Sequence, residues 1–470
     1  MTALLLAAVV AAGQAPAPAQ AQAPQVRITL EEAEKAAVRT SPSLKALGAE
    51  AEAAMELARG RYSRLWPALS ADASWRYIGT IPELSVLNRT MAMGAHENYS
   101  IGPTLGWTVW DQGRLSHAWR SAQAQARSKE EERRDQERQL VLRVRAAYFQ
   151  AQLGLEQVRV LADSLRLAQS QYKDIESRRK AGAASVIDSL SAHQEVLARQ
   201  RSFRQARTDL AGALRDLVAL MGAEPPADLA LPASVEPAPP GTPLPPGARA
   251  VWVQMAVPEG TEPASVVAVL DPIDESLRRL EPAGAAPFDE SHPALLRWAE
   301  TASAYRRASR SARAGLWPRV LLTARTSLDY PNGPVVESFR QDTVGASLSL
   351  PLFELGRTRR EASQAERLAE AADSRAGQVR SDRLRDWLKA RDRLLGLRAQ
   401  ARIDQVSVRE TRELSQRIYE SYRAGRSTFL EVQSSNLREL EAKVQEARTR
   451  TQMLLELAAL SELSGKESRP

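Results

Sequence analysis

The chain has no cysteine. That one absence excludes disulfides, thiolate metal sites, cysteine nucleophiles and a lipid anchor on an N-terminal cysteine. Histidine is almost as scarce. His96, His117, His193 and His292 stand far apart, with no pair at the one-turn spacing of a zinc-binding helix, so a metal enzyme is not expected. Aromatic residues are only 5% of the 470, and no apolar run approaches the roughly 20 residues that carry a helix across a bilayer. A helical-bundle membrane protein is excluded. Acidic charge falls slightly short of basic, 57 residues against 64, for a formal net charge of +7. The basic side is overwhelmingly arginine, interleaved with Glu and Asp along helical stretches. It reads as a solvated, ion-paired helix surface, and no nucleic-acid partner is expected.

What is present begins with an address. Leu4 to Ala12 is a short apolar run leading into a Gln/Ala/Pro-rich stretch, Gln14 to Pro24, with small-x-small sites such as Ala19-Gln20-Ala21. This is the layout of a secretory signal peptide over residues 1–21, although the usual positive flank is missing.

An internal repeat organises the rest. Ser41-Pro42-Ser43-Leu44 recurs as His292-Pro293-Ala294-Leu295, and Leu65-Trp66-Pro67 as Leu316-Trp317-Pro318, both 251 residues on. Beyond Tyr99 the offset becomes 243. Trp110-Asp111-Gln112-Gly113-Arg114 matches Phe353-Glu354-Leu355-Gly356-Arg357, Lys180-Ala181-Gly182 matches Arg423-Ala424-Gly425, and Met221-Gly222 matches Ser464-Gly465. The first copy therefore has a longer loop between Tyr77 and Tyr99. The expected units are a first repeat over 22–222, a second over 291–465, a tail at 466–470, and between the repeats a segment at 223–290. That segment opens Pro-rich, with 9 of the 27 prolines in 223–250, and carries short apolar stretches at Val251–Val257 and Val266–Leu270. It reads as a linker plus a small β-containing insertion, or as an irregular loop.

Within each copy the apolar period switches from about 3.6 to 2 after Pro67 and Pro318. Leu69, Ala71, Ala73, Trp75 and Tyr77 alternate with polar residues. So do Tyr99, Ile101, Leu105, Trp107 and Val109; Val320, Leu322, Ala324, Leu328 and Tyr330; and Val344, Ala346, Leu348 and Leu350. Four strands of about ten residues, apolar on one face, suit a membrane barrel wall, with Trp75, Tyr77, Tyr99, Trp107 and Tyr330 as an interfacial aromatic girdle. A soluble sheet packed on a core alternates in the same way. Four strands cannot close a barrel and lipid tolerates no open edge, so the membrane reading requires several chains; three would give twelve strands.

The helical stretches add arithmetic. Gly113–Arg179 and Gly356–Tyr422 are each 67 residues without proline, or roughly 100 Å of helix at about 1.5 Å per residue. The leading helices, Pro42–Trp66 and Pro293–Trp317, and the returning ones, Ala184–Gly222 and Ser427–Gly465, number 25 and 39 residues. End to end, a leading and a returning helix nearly match one long helix. That describes a tall helical cylinder continuing from a sheet.

These elements resemble the outer-membrane efflux protein family, the TolC-like channel-tunnels. The resemblance rests on the Pro-x-Leu openings at Pro42 and Pro293, the prolines Pro67 and Pro318, and the aromatic-acid-x-Gly elements ending at Gly113 and Gly356. It also rests on the turn Tyr422-Arg423-Ala424-Gly425-Arg426-Ser427-Thr428-Phe429-Leu430-Glu431-Val432, similar to the family's Tyr-x-x-Gly-x-x-Ser-x-x-Asp-Val-Leu. It implies a mainly α protein whose duplicated unit forms an α-helical barrel continuous with a trimeric 12-stranded outer-membrane β-barrel, four strands per chain. It further implies a homotrimer in the outer membrane of a Gram-negative bacterium, with its tunnel in the periplasm, outer-membrane lipid around the barrel, and a periplasmic membrane-fusion adaptor and an inner-membrane pump as partners. The function implied is a passive efflux or type I secretion duct with neither catalysis nor cofactor. The alternatives are a soluble periplasmic coiled-coil scaffold and an adaptor of the same machinery.

The resemblance also implies sites. Gly182 and Gly425 sit where the helical hairpins reverse, and these tip turns would dock the adaptor. Glu431 would point into the lumen at the closed periplasmic gate, three copies making an acidic ring, with Asp188 its weaker equivalent in the first copy. Ser434 stands where the family often has a second acid. Arg426 would pair with a neighbouring chain and hold the gate shut. The run Glu130-Glu131-Glu132-Arg133-Arg134-Asp135 reads as a solvated face with intrahelical pairs.

Overall fold

The computed structural model describes residues 25–27, 29–86, 89–222, 249–254, 265–333 and 335–465. The expected signal peptide, most of the Pro-rich linker and the tail at 466–470 lie outside them. The chain runs β1 (Gln25–Arg27), α1 (Leu30–Thr40), α2 (Pro42–Ser63), β2 (Ala68–Tyr77), β3 (Glu83–Val86), β4 (Arg89–Ala92), β5 (Glu97–Trp110), α3 (Arg114–Lys180) and α4 (Val186–Leu220). The inter-repeat region supplies β6 (Arg249–Gln254), β7 (Ser265–Leu270) and α5 (Ile273–Leu280). The second copy follows as α6 (Pro293–Ala314), β8 (Arg319–Tyr330), β9 (Phe339–Ser349), α7 (Arg357–Arg423) and α8 (Phe429–Ser464).

Both long helices have the expected 67 residues. The short ones end sooner than expected. α2 and α6 have 22 residues each, because the residues before Pro67 and Pro318 already form turns, and α4 and α8 have 35 and 36. A stacked pair therefore falls about ten residues short of its long partner. The longer loop of the first copy holds the β3–β4 hairpin.

The aromatic-acid-x-Gly elements prove to be strand-to-helix corners. In each, the last two residues are left-handed: Gln112 and Gly113 at φ 53° and 79°, Leu355 and Gly356 at 50° and 78°. The Asp111 carboxylate accepts from the amides of Gly113 (3.0 Å) and Leu115 (2.9 Å), satisfying donors that the first turn of α3 leaves open.

The four long strands form one antiparallel sheet in the order β2-β5-β8-β9, so the two copies join through β5 and β8. Register puts Leu69 opposite Leu105, Ala73 opposite Ile101, Ile101 opposite Leu328, and Ala324 opposite Val344. All the alternating apolar residues thus share one face. Among the described residues no element covers it: Trp75 is 66% exposed, Ile101 54%, Val344 87% and Leu348 70%. The opposite face carries the polar contacts, Ser100 to Asp329 at 2.5 Å and Arg325 to Ser100 at 2.6 Å. A soluble sheet would bury its apolar face, and this one turns it outward. At Gly102 the strands crowd: a Cβ there would sit against the Thr326 carbonyl oxygen and 2.7 Å from Ser327 Cα.

Below the sheet the helices form a single layer. Its upper half runs α2-α3-α6-α7 and its lower half α4-α3-α8-α7. Buried alanines, among them Ala122, Ala124, Ala126, Ala302 and Ala304, let the helices approach closely where few large side chains are available. The main apolar core lies at the waist, where Tyr148, Phe149, Leu394, Leu454 and Leu457 pack with Leu30 of α1 and Leu270 and Leu280 of the inter-repeat region. There β1, β7 and β6 make a small sheet, the β-containing insertion that the apolar stretches implied. Tyr148 Oη accepts from the Asp271 amide (2.9 Å) and Gln152 donates to Ser276 (3.0 Å), fixing the insertion to α3.

Candidate functional site at the helical tip

Both hairpins reverse on a glycine. Gly182 and Gly425 have φ of 74° and 73°, a conformation that side-chain-bearing residues resist, and a Cβ at either would meet no atom within 4 Å. The surface around the turns is therefore open. Each returning helix starts on a capping hydroxyl. The Asp188 amide donates to Ser185 Oγ (3.0 Å), while Thr428 and Glu431 form a reciprocal box. In it Glu431 N donates to Thr428 Oγ1 (3.4 Å) and Thr428 N to the Glu431 carboxylate (2.9 Å). Glu431 remains exposed, but one of its oxygens is held by the helix end.

Arg426 is exposed, and its side chain has no ion-pair partner among the described residues. Asp188 lies close enough to Tyr422 to help raise its phenol, behind the larger effect of burial.

Contacts between the two hairpins hold the tip together, and the sequence had not marked them. The Tyr419 hydroxyl donates to Asp174 Oδ2 (3.0 Å). Arg178 donates to the Arg423 carbonyl (3.3 and 3.4 Å), capping the end of α7, and pairs with Asp174 (3.4 Å). Gln433 reaches the Ser191 carbonyl (3.1 Å), and Asn436 bridges Gln171 (2.9 Å) and Ser415 (2.8 Å). Ile175, Ala192, Tyr422, Phe429 and Val432 form an apolar plug between them. Burial, then the bond to Asp174, pushes the Tyr419 phenol up to about 12. The first hairpin has its own clamp: Arg179 and Ser189 both donate to Glu176, and these bonds hold its carboxyl down at about 2.

The expected aromatic girdle divides in two. Trp75, Tyr99 and Tyr330 lie side by side across three strands, Tyr99 stacked on Tyr330 at 4.9 Å, with Tyr77 one pleat further out. Trp107 belongs to the other end, with exposed Trp66, Trp110 and Trp317. Tyr99 and Trp110 are eleven residues apart on one strand, roughly 36 Å along it and about 28 Å along an axis tilted by some 40°.

The waist holds one cluster that the scattered histidines did not foreshadow. Buried Asp135, His292 and Glu462 bring ligand-type atoms within 4.8 Å of one another. Asp135 is thus no part of the solvated face expected for 130–135, though Glu130, Arg133 and Arg134 do pair along the helix. The donors do not fit a metal. His292 Nδ1 accepts the Ala294 amide (3.2 Å), so Nε2 carries the proton and donates to Glu462 (3.2 Å). Arg383 already bridges Glu462 (3.2 Å) and Asp135 (3.3 Å). The cluster is an internal ion network tying α3, α6, α7 and α8.

A family model, outer membrane efflux protein, matches residues 34–223 and 289–466. The chain belongs to the outer membrane efflux protein family. No curated protein sequence matches it. Its fold is similar to three solved channels of this kind. OprN is 20% identical (TM-score 0.70; 94% of this chain and 91% of that one). VceC from Vibrio cholerae is 16% identical (0.68; 93% and 96%), and CmeC from Campylobacter jejuni 13% (0.68; 93% and 85%). As a member of an efflux-protein family with an uncovered apolar barrel face, the chain is a channel protein rather than a soluble scaffold or an adaptor. The duplicated helical tunnel and four-stranded share of a β-barrel expected from the sequence are both present.

Proposed function

We propose that three copies of this chain close into an outer-membrane duct through which an inner-membrane pump, coupled by a periplasmic adaptor, drives cargo outward. The observation that carries this is the pair of unfinished edges. The sheet ends on β2 and β9, each with one side unpaired. The helical layer ends on α2 above and α4 below at one side, and on α7 at the other. Exposed Leu388, Leu395, Ile403 and Leu414 mark the α7 edge, and exposed Val186, Ile187 and Leu190 the start of α4. Open strand edges are intolerable in lipid, and closing both layers with copies of the same chain satisfies them together. Twelve strands then surround a passage and the helices continue it. The chain catalyses nothing; energy comes from the pump.

In this reading the tip is the gate. Gly182 and Gly425 present the turns to the adaptor, Arg426 reaches a neighbouring copy, and Glu431 with Asp188 gives the narrowed end its negative charge. The two aromatic rows lie at the two faces of the apolar band. Fractionation tests the whole: the chain should sediment with the outer membrane and run as a heat-sensitive trimer. Recovery as a soluble monomer would overturn it.

A further inference from the structure

We infer that three arginines just beneath the barrel, Arg120 on α3 with Arg307 and Arg310 on α6, bind the phosphate headgroups of anionic phospholipid in the periplasmic leaflet. The inference rests on the membrane position proposed for the sheet.

Three hydrogen bonds fix how α3 and α6 lie together. Ser311 Oγ donates to the Arg114 carbonyl (2.9 Å), Ser121 Oγ to that of Ala304 (2.8 Å), and Ser128 Oγ to that of Arg297 (3.1 Å). Each pair of residue numbers has the same sum, so the helices run antiparallel in constant register. Residues 117–120 therefore lie beside 305–308, and Arg310 follows within a turn. His117 sits among the arginines. Burial first, then the charges of Arg120, Arg310 and Arg307, push its imidazole down, and its Nδ1 is buried without a hydrogen-bond partner.

The cluster faces outward. The α3 contacts to α6 recur every seven residues, at Arg114, Ser121 and Ser128, so α3 keeps a seven-residue period against its neighbour. On that period Arg120 and His117 share a face with Tyr148 and Gln152, which hold the waist insertion. A tunnel with an open lumen carries that insertion on its exterior. The level is right as well. Arg120 lies about 10 Å along α3 from its first residue, directly below exposed Trp110 and Trp317, within reach of headgroups for a side chain that extends toward them.

Pairing singles the cluster out. Two turns deeper along α3, Arg127 is matched by Glu300 (3.0 Å), and on the side of α6 that meets α7, Arg306 and Arg313 are matched by Asp373 and Glu366 (2.5 Å each). Arg120, Arg307 and Arg310 have no carboxylate partner among the described residues. Guanidinium groups from two helices, without carboxylate partners among the described residues and lying just below the barrel, match a ligand with net negative charge and forked oxygen acceptors.

The test uses the full-length oligomer in detergent, titrated with phosphatidylglycerol or phosphatidylcholine and read by native mass spectrometry. The expected result is tighter retention of phosphatidylglycerol, reduced at least about tenfold by combined Arg120→Gln, Arg307→Gln and Arg310→Gln. The corresponding lysine triple should retain most of the binding, and Arg127→Gln alone all of it. Equal retention of both lipids, undiminished retention by the glutamine triple, or displacement by inorganic phosphate at equal concentration would overturn the inference. Failure of the membrane reading would show separately, as loss of outer-membrane fractionation by the unsubstituted chain.

Discussion

Tyr419 on α7 and Asp174 on α3 are 245 residues apart in sequence, yet the phenol donates to the carboxylate at 3.0 Å and ties one helical hairpin to the other at the tip. The bond spans the seam between the copies, and in the proposed gate it is one of the ties that widening the passage would break. Tyr419→Phe removes only the hydroxyl, so the cost should be about 0.5–1.5 kcal/mol of tip closure. The expected outcome is a raised open probability in planar bilayers with the assembly's melting temperature nearly unchanged. The folded phenol titrates at about 12, above its ordinary value near 10. Its contribution is therefore complete below about 10 and lost as pH rises toward 12. The Tyr419→Phe effect should accordingly stay constant from pH 6 to 9, and a strong dependence in that range would rule this tie out as its cause.

Glu431 offers a sharper test than charge removal alone. Its carboxylate caps α8, and the further role proposed for it at the narrow end separates from that one by substitution. Glu431→Gln keeps an acceptor for the Thr428 amide and removes the charge; Glu431→Ala removes both. If an acidic ring sets conductance, both variants should raise it and weaken cation block, while only the alanine variant loosens α8, by about 1 kcal/mol. A glutamine variant with unchanged conductance would confine Glu431 to the helix end.

At Gly425 the strain is conformational, since nothing crowds the site. Gly425→Asn should be tolerated, because asparagine accepts the left-handed region, whereas Gly425→Val should cost about 1–2 kcal/mol at the turn. Export should fall for valine before assembly does. Comparable export by both variants would argue against a docking surface at the turn.

How much of this was legible in the sequence follows physical range. Strands, corners and long helices are written in local periodicity and in residues such as Gly113 and Pro67, and duplication wrote them twice. That the apolar face is uncovered was not legible, because alternation is the same whichever face is covered; that took the register linking Ile101 to Leu328 together with the exposure of Trp75, Val344 and Leu348. The glycine turns were local and readable. Tyr419–Asp174, Arg178–Arg423 and the Asp135–Arg383–Glu462 network join residues far apart in the chain, so neither spacing nor composition could announce them. Asp135 departs from the expected solvated face for that reason: its neighbours along the helix are solvated, but Arg383, His292 and Glu462 reach it from the other copy.

Gly102 sets a limit on the barrel. A methyl group there would meet the Thr326 carbonyl and Ser327 Cα on the neighbouring strand. Backbone cannot yield as a flexible side chain can, so Gly102→Ala should pry β5 from β8. The expected outcome is loss of the heat-modifiable assembled form on gels, with little change in helical circular dichroism. A normally assembled Gly102→Ala barrel would show that the strands separate easily at this point.

Arg383 holds the waist network by matching two buried carboxylates, Asp135 and Glu462. Removing one partner of a buried pair leaves uncompensated charge, a loss of about 3–5 kcal/mol. Arg383→Met should therefore lower the melting temperature at pH 7 far more than substitution of a solvated arginine such as Arg367. Acid should return part of the loss. Burial raises the Asp135 carboxyl above its ordinary value, even with Arg383 in place. A carboxyl raised on folding favours the folded state while protonated, below its unfolded value, and withdraws that support as pH climbs through its folded one. With the guanidinium gone the raising is larger, so the deficit of Arg383→Met should shrink between pH 7 and pH 5. Thermal melts of both proteins across that range decide the matter. A deficit independent of pH would place the damage in lost packing against α7 rather than in the two carboxylates.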